Sequence, residues 1–295
     1  EKDTQKNILK KNTQTLNPNK TPNKYLGIID KLPSEMGVYY IHNMKNEIIY
    51  IGRSYNIKKK VLSHLTGLKN MDQEIQNVIT HVTFALTGGE LITLLKEQNE
   101  IKVNTPVLNR TFKFRLFPMG IRIESSRNYS TIIIEQIKKD IEYLSVYKNK
   151  KAAKSAISKL IEELGICIQK TNLIQNKKAC INYDPKKCDG ASMEIESVIN
   201  YQKKINALIQ SFSYPYKDFL LIDKGRQNGE FSFVYIENNN FLGYGYYELN
   251  HQIKTKNQIK SRLISKDDNP DTKKLIHSFL YRNKYIKLIH LQDDN

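Results

Sequence analysis

The sequence predicts an α+β protein of two domains, a small one built on a three-stranded antiparallel sheet and a second α+β domain behind it. Three observations predict this. Val38-Tyr39-Tyr40-Ile41 and Ile48-Ile49-Tyr50-Ile51 are β-branched or aromatic throughout, as strands are. Helical spacing of apolar residues follows, interrupted by a further strand-like run at 81–86. In the last third, 219–223, 231–236 and 241–249 are strand candidates in succession, which suggests an antiparallel meander. A chain of 295 residues can bury two modest cores.

Residues 1–30 are rich in Lys, Asn, Thr, Gln and Pro with few large apolar groups, the composition of a flexible tail or linker. The first domain is expected over 31–112. Its hairpin turns at Asn43-Met44-Lys45-Asn46, which has turn residues at both ends. A four-residue loop places His42 opposite Glu47 and Tyr39 directly opposite Tyr50, so two phenols share a face of the sheet. Residues 56–65 read as a helix with a basic flank, and 71–80 as a second helix. Thr87-Gly88-Gly89-Glu90 matches a capping box, opening a helix that runs to about 103 and stops before Pro106.

Beyond residue 112 the expected parts are a connecting strand pair (120–124 and 131–137) with a helix over 151–164, a cysteine segment over 167–192, and an accessory α+β domain over 193–295. The accessory domain opens with a helix over 193–211 and closes with a helix over 271–282 and an apolar run at 286–291.

Hydrophobic residues make up 39% of the chain and charged residues 26%, the composition of a globular protein. No apolar run approaches the roughly 20 residues that span a bilayer, and no secretory signal precedes the first domain. Glu1, rather than methionine, at the start is the expectation for a fragment or processed chain. Three cysteines do not make a disulfide scaffold, and a reducing cytoplasm is the default expectation. Net charge is +17, from 47 Lys and Arg against 30 Asp and Glu. Residues 48–71 contain no acid but do contain Arg53, Lys58, Lys59, Lys60 and Lys69. Residues 101–123 are likewise acid-free, with Lys102, Arg110, Lys113, Arg115 and Arg122. Clustered cations without compensating acids are the footprint of a polyanion partner; a lysine-rich bias of composition explains the total charge but not readily the two acid-free windows.

Gly37-Val38-Tyr39, Tyr50-Ile51-Gly52, the basic helix, the helix carrying Glu97 and the closing Pro106-Val107-Leu108-Asn109 occur in that order. Together they resemble the GIY-YIG nucleases, and most closely the domain of excinuclease C and its shorter homologue excinuclease Cho. The resemblance implies a small α/β/α nuclease domain and hydrolysis of a DNA phosphodiester with Mg²⁺ or Mn²⁺ in nucleotide excision repair. Its implied partners are DNA and other excision-repair proteins. It also reaches a second context, in which this nuclease type follows an epsilon-type proofreading exonuclease, and the linker-like start suits such an upstream domain.

Glu97 lies three residues after Leu94 and four before Ile101, along one helix stripe with both. A carboxylate there is costly to bury unless it is paired, for instance with Lys102, or holds a cation. The resemblance carries the family's single metal-binding glutamate onto Glu97. It makes Tyr39 the group that activates the attacking water and Tyr50 one that orients water or phosphate. A phenol near its ordinary pKa of about 10 is a poor base at neutral pH, so a nearby cation or metal is expected to lower it. Relatives usually carry lysine where Arg53 stands and arginine where Lys60 stands; here the two are exchanged, which moves the bidentate cation from helix to strand. His64 is a proton shuttle or a buried structural histidine. Lys58 and Lys59 are a solvated face or DNA-backbone contacts. Asn109 is expected to fix the site or a phosphate, and Arg110 to touch phosphate.

Cys188-Asp189-Gly190-Ala191-Ser192 resembles the C-x-G-A-C ending of the same relatives, with serine in place of the last cysteine. Their four thiolates resemble an iron–sulfur or structural metal site. Cys167, Cys180, Cys188 and Ser192 are therefore either cluster ligands or the remains of a decayed site whose cysteines pack as small apolar groups. Asp223 has no companion carboxylates that would suggest a second nuclease centre and is read as a strand-end turn. A catalytically weakened DNA-binding module stands beside the nuclease reading.

Overall fold

The computed structural model describes residues 25–109, 117–174, 189–248, 255–282 and 285–291. They form two compact units that divide after Asn109.

The first unit contains, in order, α1 (Leu26–Ile29), β1 (Gly37–His42), β2 (Ile48–Ser54), α2 (Ile57–Leu65), α3 (Asn70–Val78), β3 (His81–Leu86) and α4 (Glu90–Asn104). Its sheet is antiparallel in the order β2-β1-β3, so the strand bearing Tyr39 is central. The hairpin differs from the four-residue loop expected. Asn43 Oδ1 accepts hydrogen bonds from the backbone N–H of Lys45 (2.9 Å) and of Glu47 (3.0 Å), and Asn46 is left-handed at φ 62°. This asparagine-capped turn takes in Glu47 and puts an irregularity between Ile41 and His42. The register therefore moves: Tyr39 faces Gly52, Ile41 faces Tyr50, and the two phenols are diagonal neighbours rather than direct opposites.

The face of α2 formed by Ile57, Val61, His64 and Leu65 is buried. The helix starts where Asn56 accepts a capping hydrogen bond from Lys59 N–H, 2.8 Å. Ile57, Val61 and Leu65 join Tyr39, Ile41, Ile49 and Ile75 in one core. Tyr25, Ile29 and Leu32 belong to that same core, so ordered packing begins before residue 31. Residues 1–24 lie outside the described residues. α4 opens behind Gly89 rather than Thr87, and Thr87 is buried with its hydroxyl 2.5 Å from that of Thr93. The helix ends at a left-handed Thr105, just before Pro106.

The chain then returns to the sheet. Asn109, buried, accepts from Ile51 N–H (2.9 Å) and donates to Ile51 C=O (2.8 Å), doing for β2 what a neighbouring strand would do. Both ends of its amide are thereby taken.

The second unit starts with β4 (Met119–Glu124) flanked by β5 (Thr131–Gln136) and β6 (Ser145–Tyr147), followed by α5 (Lys150–Glu163) and α6 (Val198–Ser211). Tyr201, Ile205 and Leu208 of α6 share a core with Ile121, Ile132 and Ile157. The helix expected to open a separate accessory domain thus belongs with the strand pair before it. It also starts five residues late: Glu194 is left-handed and Ser197 caps Asn200 N–H. The expected meander is present as β7 (Phe219–Lys224), β8 (Glu230–Glu237) and β9 (Asn240–Glu248). α7 (Lys256–Lys260), β10 (Leu263–Ser265), α8 (Pro270–Tyr281) and β11 (Lys287–His290) complete a sheet in the order β10-β9-β8-β7-β11. Asp223 sits in β7, its carboxylate accepting from Lys224 N–H. Among the described residues, no helix is long and apolar enough to cross a membrane.

Replacing Asn109 with alanine leaves the buried N–H and C=O of Ile51 without these partners. The expected loss of unfolding free energy is about 2–4 kcal/mol, read from urea denaturation; a loss under about 0.5 kcal/mol would show that the clasp contributes nothing.

Candidate active site

Every group of the site is placed relative to the Tyr39 ring, which is fully buried on the central strand. Its cross-strand partner is Gly52. A Cβ at residue 52 would fall onto the Tyr39 hydroxyl and lie 2.8 Å from Cε1 of Tyr50. The glycine of the second triplet is therefore a steric requirement, because the phenol crosses the strand over a bare Cα. Gly37 of the first triplet plays a similar part on the other side, where a Cβ would meet the carbonyl oxygen of Ala85 on β3.

Laid across Gly52, the Tyr39 hydroxyl reaches α2. It is 2.9 Å from His64 Nε2, and His64 Nδ1 is 2.7 Å from Asp72 Oδ1 at the start of α3. All three side chains are buried. Burial pushes the His64 imidazole below its ordinary range, against the opposing hydrogen bond it makes to Asp72, with Lys60 pushing the same way as burial. The ring is therefore neutral at neutral pH and carries one proton. Since a carboxylate only accepts, that proton sits on Nδ1 and is donated to Asp72. Nε2 is left to accept from the Tyr39 O–H. Burial drives the Tyr39 phenol well above its ordinary value, and neighbouring Tyr50 adds to the effect. The side chains around the phenol therefore do not supply the lowering expected of a nearby cation. The basic helix next door does not acidify the phenol; instead an imidazole nitrogen is placed to take its proton.

Tyr50 stands beside this pair, its ring centroid 6.1 Å from that of Tyr39 and 5.5 Å from His64, edge-on to the imidazole. Burial raises the Tyr50 phenol as well, and the charge of Glu97 on α4 raises both phenols. The carboxylate thus shares the site with both tyrosines. Only 12% of the Glu97 side chain is exposed, and Arg53 Nε donates to its Oε2 at 2.7 Å. Burial raises the Glu97 carboxyl while Arg53 opposes that shift. Its partner is therefore the strand arginine, not Lys102. Lys60 lies one turn before His64 on α2 and is exposed.

Tyr39, Tyr50, Arg53, His64 and Glu97 converge, and Asp72 joins them without having been singled out in the sequence. An aspartate in the first turn of a helix is commonplace. The only signal is its spacing of eight residues from His64 across the Gly67 turn. Lys59 is exposed and Lys58 half-buried with its ammonium 4.0 Å from Asp30, so both remain helix-face cations. With both ends of its amide on Ile51, Asn109 holds the site's second strand. Arg110, Cys180 and Cys188 lie outside the described residues. Cys167 is fully buried in the core with Ile121 and Tyr201, and Ser192 lies in a short 3₁₀ turn, Ala191–Met193. Among the described residues no group of three His, Cys, Asp or Glu could hold a metal ion.

Residues 35–110 match the model of the UvrC-like GIY-YIG domain, and residues 119–211 that of the UvrC/Cho excinuclease middle domain. These two segments belong to the UvrC/Cho excinuclease family. The excinuclease-type nuclease domain coincides with the first unit, and the middle domain ends with α6, where the core it shares also ends. Among similar proteins, UvrABC system protein C of Alkaliphilus oremlandii is 29% identical over 187 residues, covering 60% of this chain and 30% of that one. The protein of the same name from Clostridium beijerinckii is 27% identical over 201 residues, 65% of this chain and 32% of its own length. The chain thus spans about a third of these relatives. A solved structure of the GIY-YIG N-terminal endonuclease domain of UvrC from Thermotoga maritima, bound to magnesium as its catalytic divalent cation, is 26% identical. It covers 30% of this chain and 98% of that domain, with a TM-score of 0.28.

Gly52→Ala is expected to force the Tyr39 phenol off the strand at an overpacking cost of about 1–3 kcal/mol, measured by urea unfolding. Unchanged stability would mean that the ring does not rest on residue 52.

Proposed function

We propose that the first unit is a metal-dependent endonuclease that hydrolyses a DNA phosphodiester, nicking one strand in nucleotide excision repair. The observation that carries this reading is the Tyr39 hydroxyl bonded to a neutral His64 at 2.9 Å in a site shared with Glu97. A buried phenol too weakly acidic to ionise alone gains a base within hydrogen-bond reach.

The chemistry follows from that pairing. As an attacking water gives a proton to the Tyr39 oxygen, the Tyr39 proton passes to His64 Nε2. The new hydroxide oxygen bonds to phosphorus, the bond from phosphorus to the leaving sugar oxygen breaks, and that oxygen takes a proton from solvent. Tyr50, beside both groups, orients the water or a phosphate oxygen. Arg53 and Lys60 place positive charge near the developing negative charge, a contribution of about 3–4 kcal/mol for one well-aimed donor.

The donor set fits a hard divalent cation. Glu97 supplies a single, largely buried carboxylate, and Mg²⁺ takes one or two carboxylates while keeping most of its waters. Glu97 would hold Mg²⁺ or Mn²⁺, which supplies Lewis acidity toward the phosphate when bound. In the absence of that cation, Arg53 balances the carboxylate. Lys58, Lys59 and Arg110, in the acid-free windows, are assigned to the DNA backbone, and other excision-repair proteins are the expected partners.

The test uses supercoiled plasmid and Mg²⁺. The chain is expected to nick it, and Glu97→Gln to lose at least about 100-fold in rate while still binding DNA in a salt-sensitive way. Binding without nicking by either form would instead identify a DNA-binding module weakened at Lys60, whose ammonium lacks the fork of arginine.

A further inference from the structure

We propose that Asp72 is a positioning residue of this site, holding His64 in the one tautomer that can receive the Tyr39 proton. The proposal rests on the nuclease reading and deepens it, because nothing in the family motif calls for an acid behind the histidine.

The local architecture is arranged around this contact. α2 ends at His64-Leu65, the chain turns at Gly67, and α3 brings Asp72 back against the imidazole. A Cβ at residue 67 would collide with the Asp72 carboxylate, so the turn glycine makes room for it. One turn further along α3, Gln76 donates to the carbonyls of His64 and Gly67, both at 2.8 Å. The Gln76 carbonyl in turn accepts from Tyr25 at 3.2 Å. The backbone from His64 through the turn at Gly67 is thereby tied to α3 without help from Asp72. A carboxylate buried beside a neutral imidazole is a costly way to add one more tie, since an amide could make the same bond.

What a carboxylate does that an amide does not is specify the proton. It accepts only, so Nδ1 must be the protonated nitrogen and Nε2 the bare one. It also offsets the positive charge once the proton of Tyr39 arrives at Nε2. In that step the Tyr39 O–H bond breaks, the Nε2–H bond forms, and the Nδ1 proton stays where it is. The titratable groups facing the ring are Tyr39 on β1, Tyr50 on β2, Asp72 on α3, Lys60 one turn away on α2, and Lys69 in the turn. Burial and the two lysines keep the imidazole neutral, and Asp72 is the group that favours its charging.

The test compares the full chain with Asp72→Asn in two measurements. Side-chain ¹⁵N shifts of His64 at neutral pH, with no metal or DNA present, report the tautomer. The wild type is expected to show a protonated Nδ1 and a bare Nε2, and the variant a mixture. Plasmid nicking is expected to fall about 100-fold or more with plasmid affinity unchanged. The acid limb of the variant's pH–rate profile should move to lower pH, because the group that raised His64 has gone. A variant with wild-type tautomer and a nicking rate within about threefold of wild type overturns the proposal and leaves the nuclease reading intact. If the wild type itself does not nick, the nuclease reading fails and this proposal with it. If Asp72→Asn does not fold, the wild-type spectrum decides: a bare Nδ1 with a protonated Nε2 overturns the assignment.

Discussion

The hydrogen bond between Tyr39 and His64 is the contact on which the rest of the first unit depends. It exists because a phenol on the central strand lies across a residue with no side chain and so reaches the helix beyond. Central placement of β1 buries the ring, the register of the hairpin puts Gly52 beneath it, and Asn109 clasps the strand that carries Gly52. The two triplets of the family signature are thus one steric device: the tyrosine of the first needs the glycine of the second.

Around that contact the electrostatics run opposite to a simple picture of tyrosine activated by nearby lysines. Burial makes both phenols weaker acids, and Glu97 adds to this. Lys60 of α2 and Lys69 in the turn that follows act on His64, helping to keep it uncharged and able to accept. Exchange of the usual lysine and arginine also acquires a structural meaning. Arg53 on β2 donates to the lone carboxylate at 2.7 Å, so the positive charge nearest Glu97 is a guanidinium able to hold it in a directed bond.

Much of this was legible in the sequence. Among the described residues, strong β-branched runs revealed every strand of five residues or more, and apolar spacing located the long helices within a few residues. β6, β10 and α7 were not legible: three to five residues carry too little periodicity to stand out. The hairpin register was misread because Asn43 caps the turn through its side chain and Asn46 adopts a left-handed conformation, which drew Glu47 into the loop. The site triplets, Glu97 and His64 were readable as motif positions. Asp72 was not, because its partner lies across a turn and an acid at a helix start has an ordinary local explanation. α6 was assigned to the wrong neighbour because a sequence shows that a helix has an apolar face but not which core that face fills.

The central claim is that Tyr39 and His64 act as one proton-transfer unit. The most direct test is a double-mutant cycle on the plasmid-nicking rate with Tyr39→Phe, His64→Gln and the two combined. The account predicts that the double variant is about as slow as the slower single one, because either change breaks the same route. Losses that multiply would show two independent roles and contradict it.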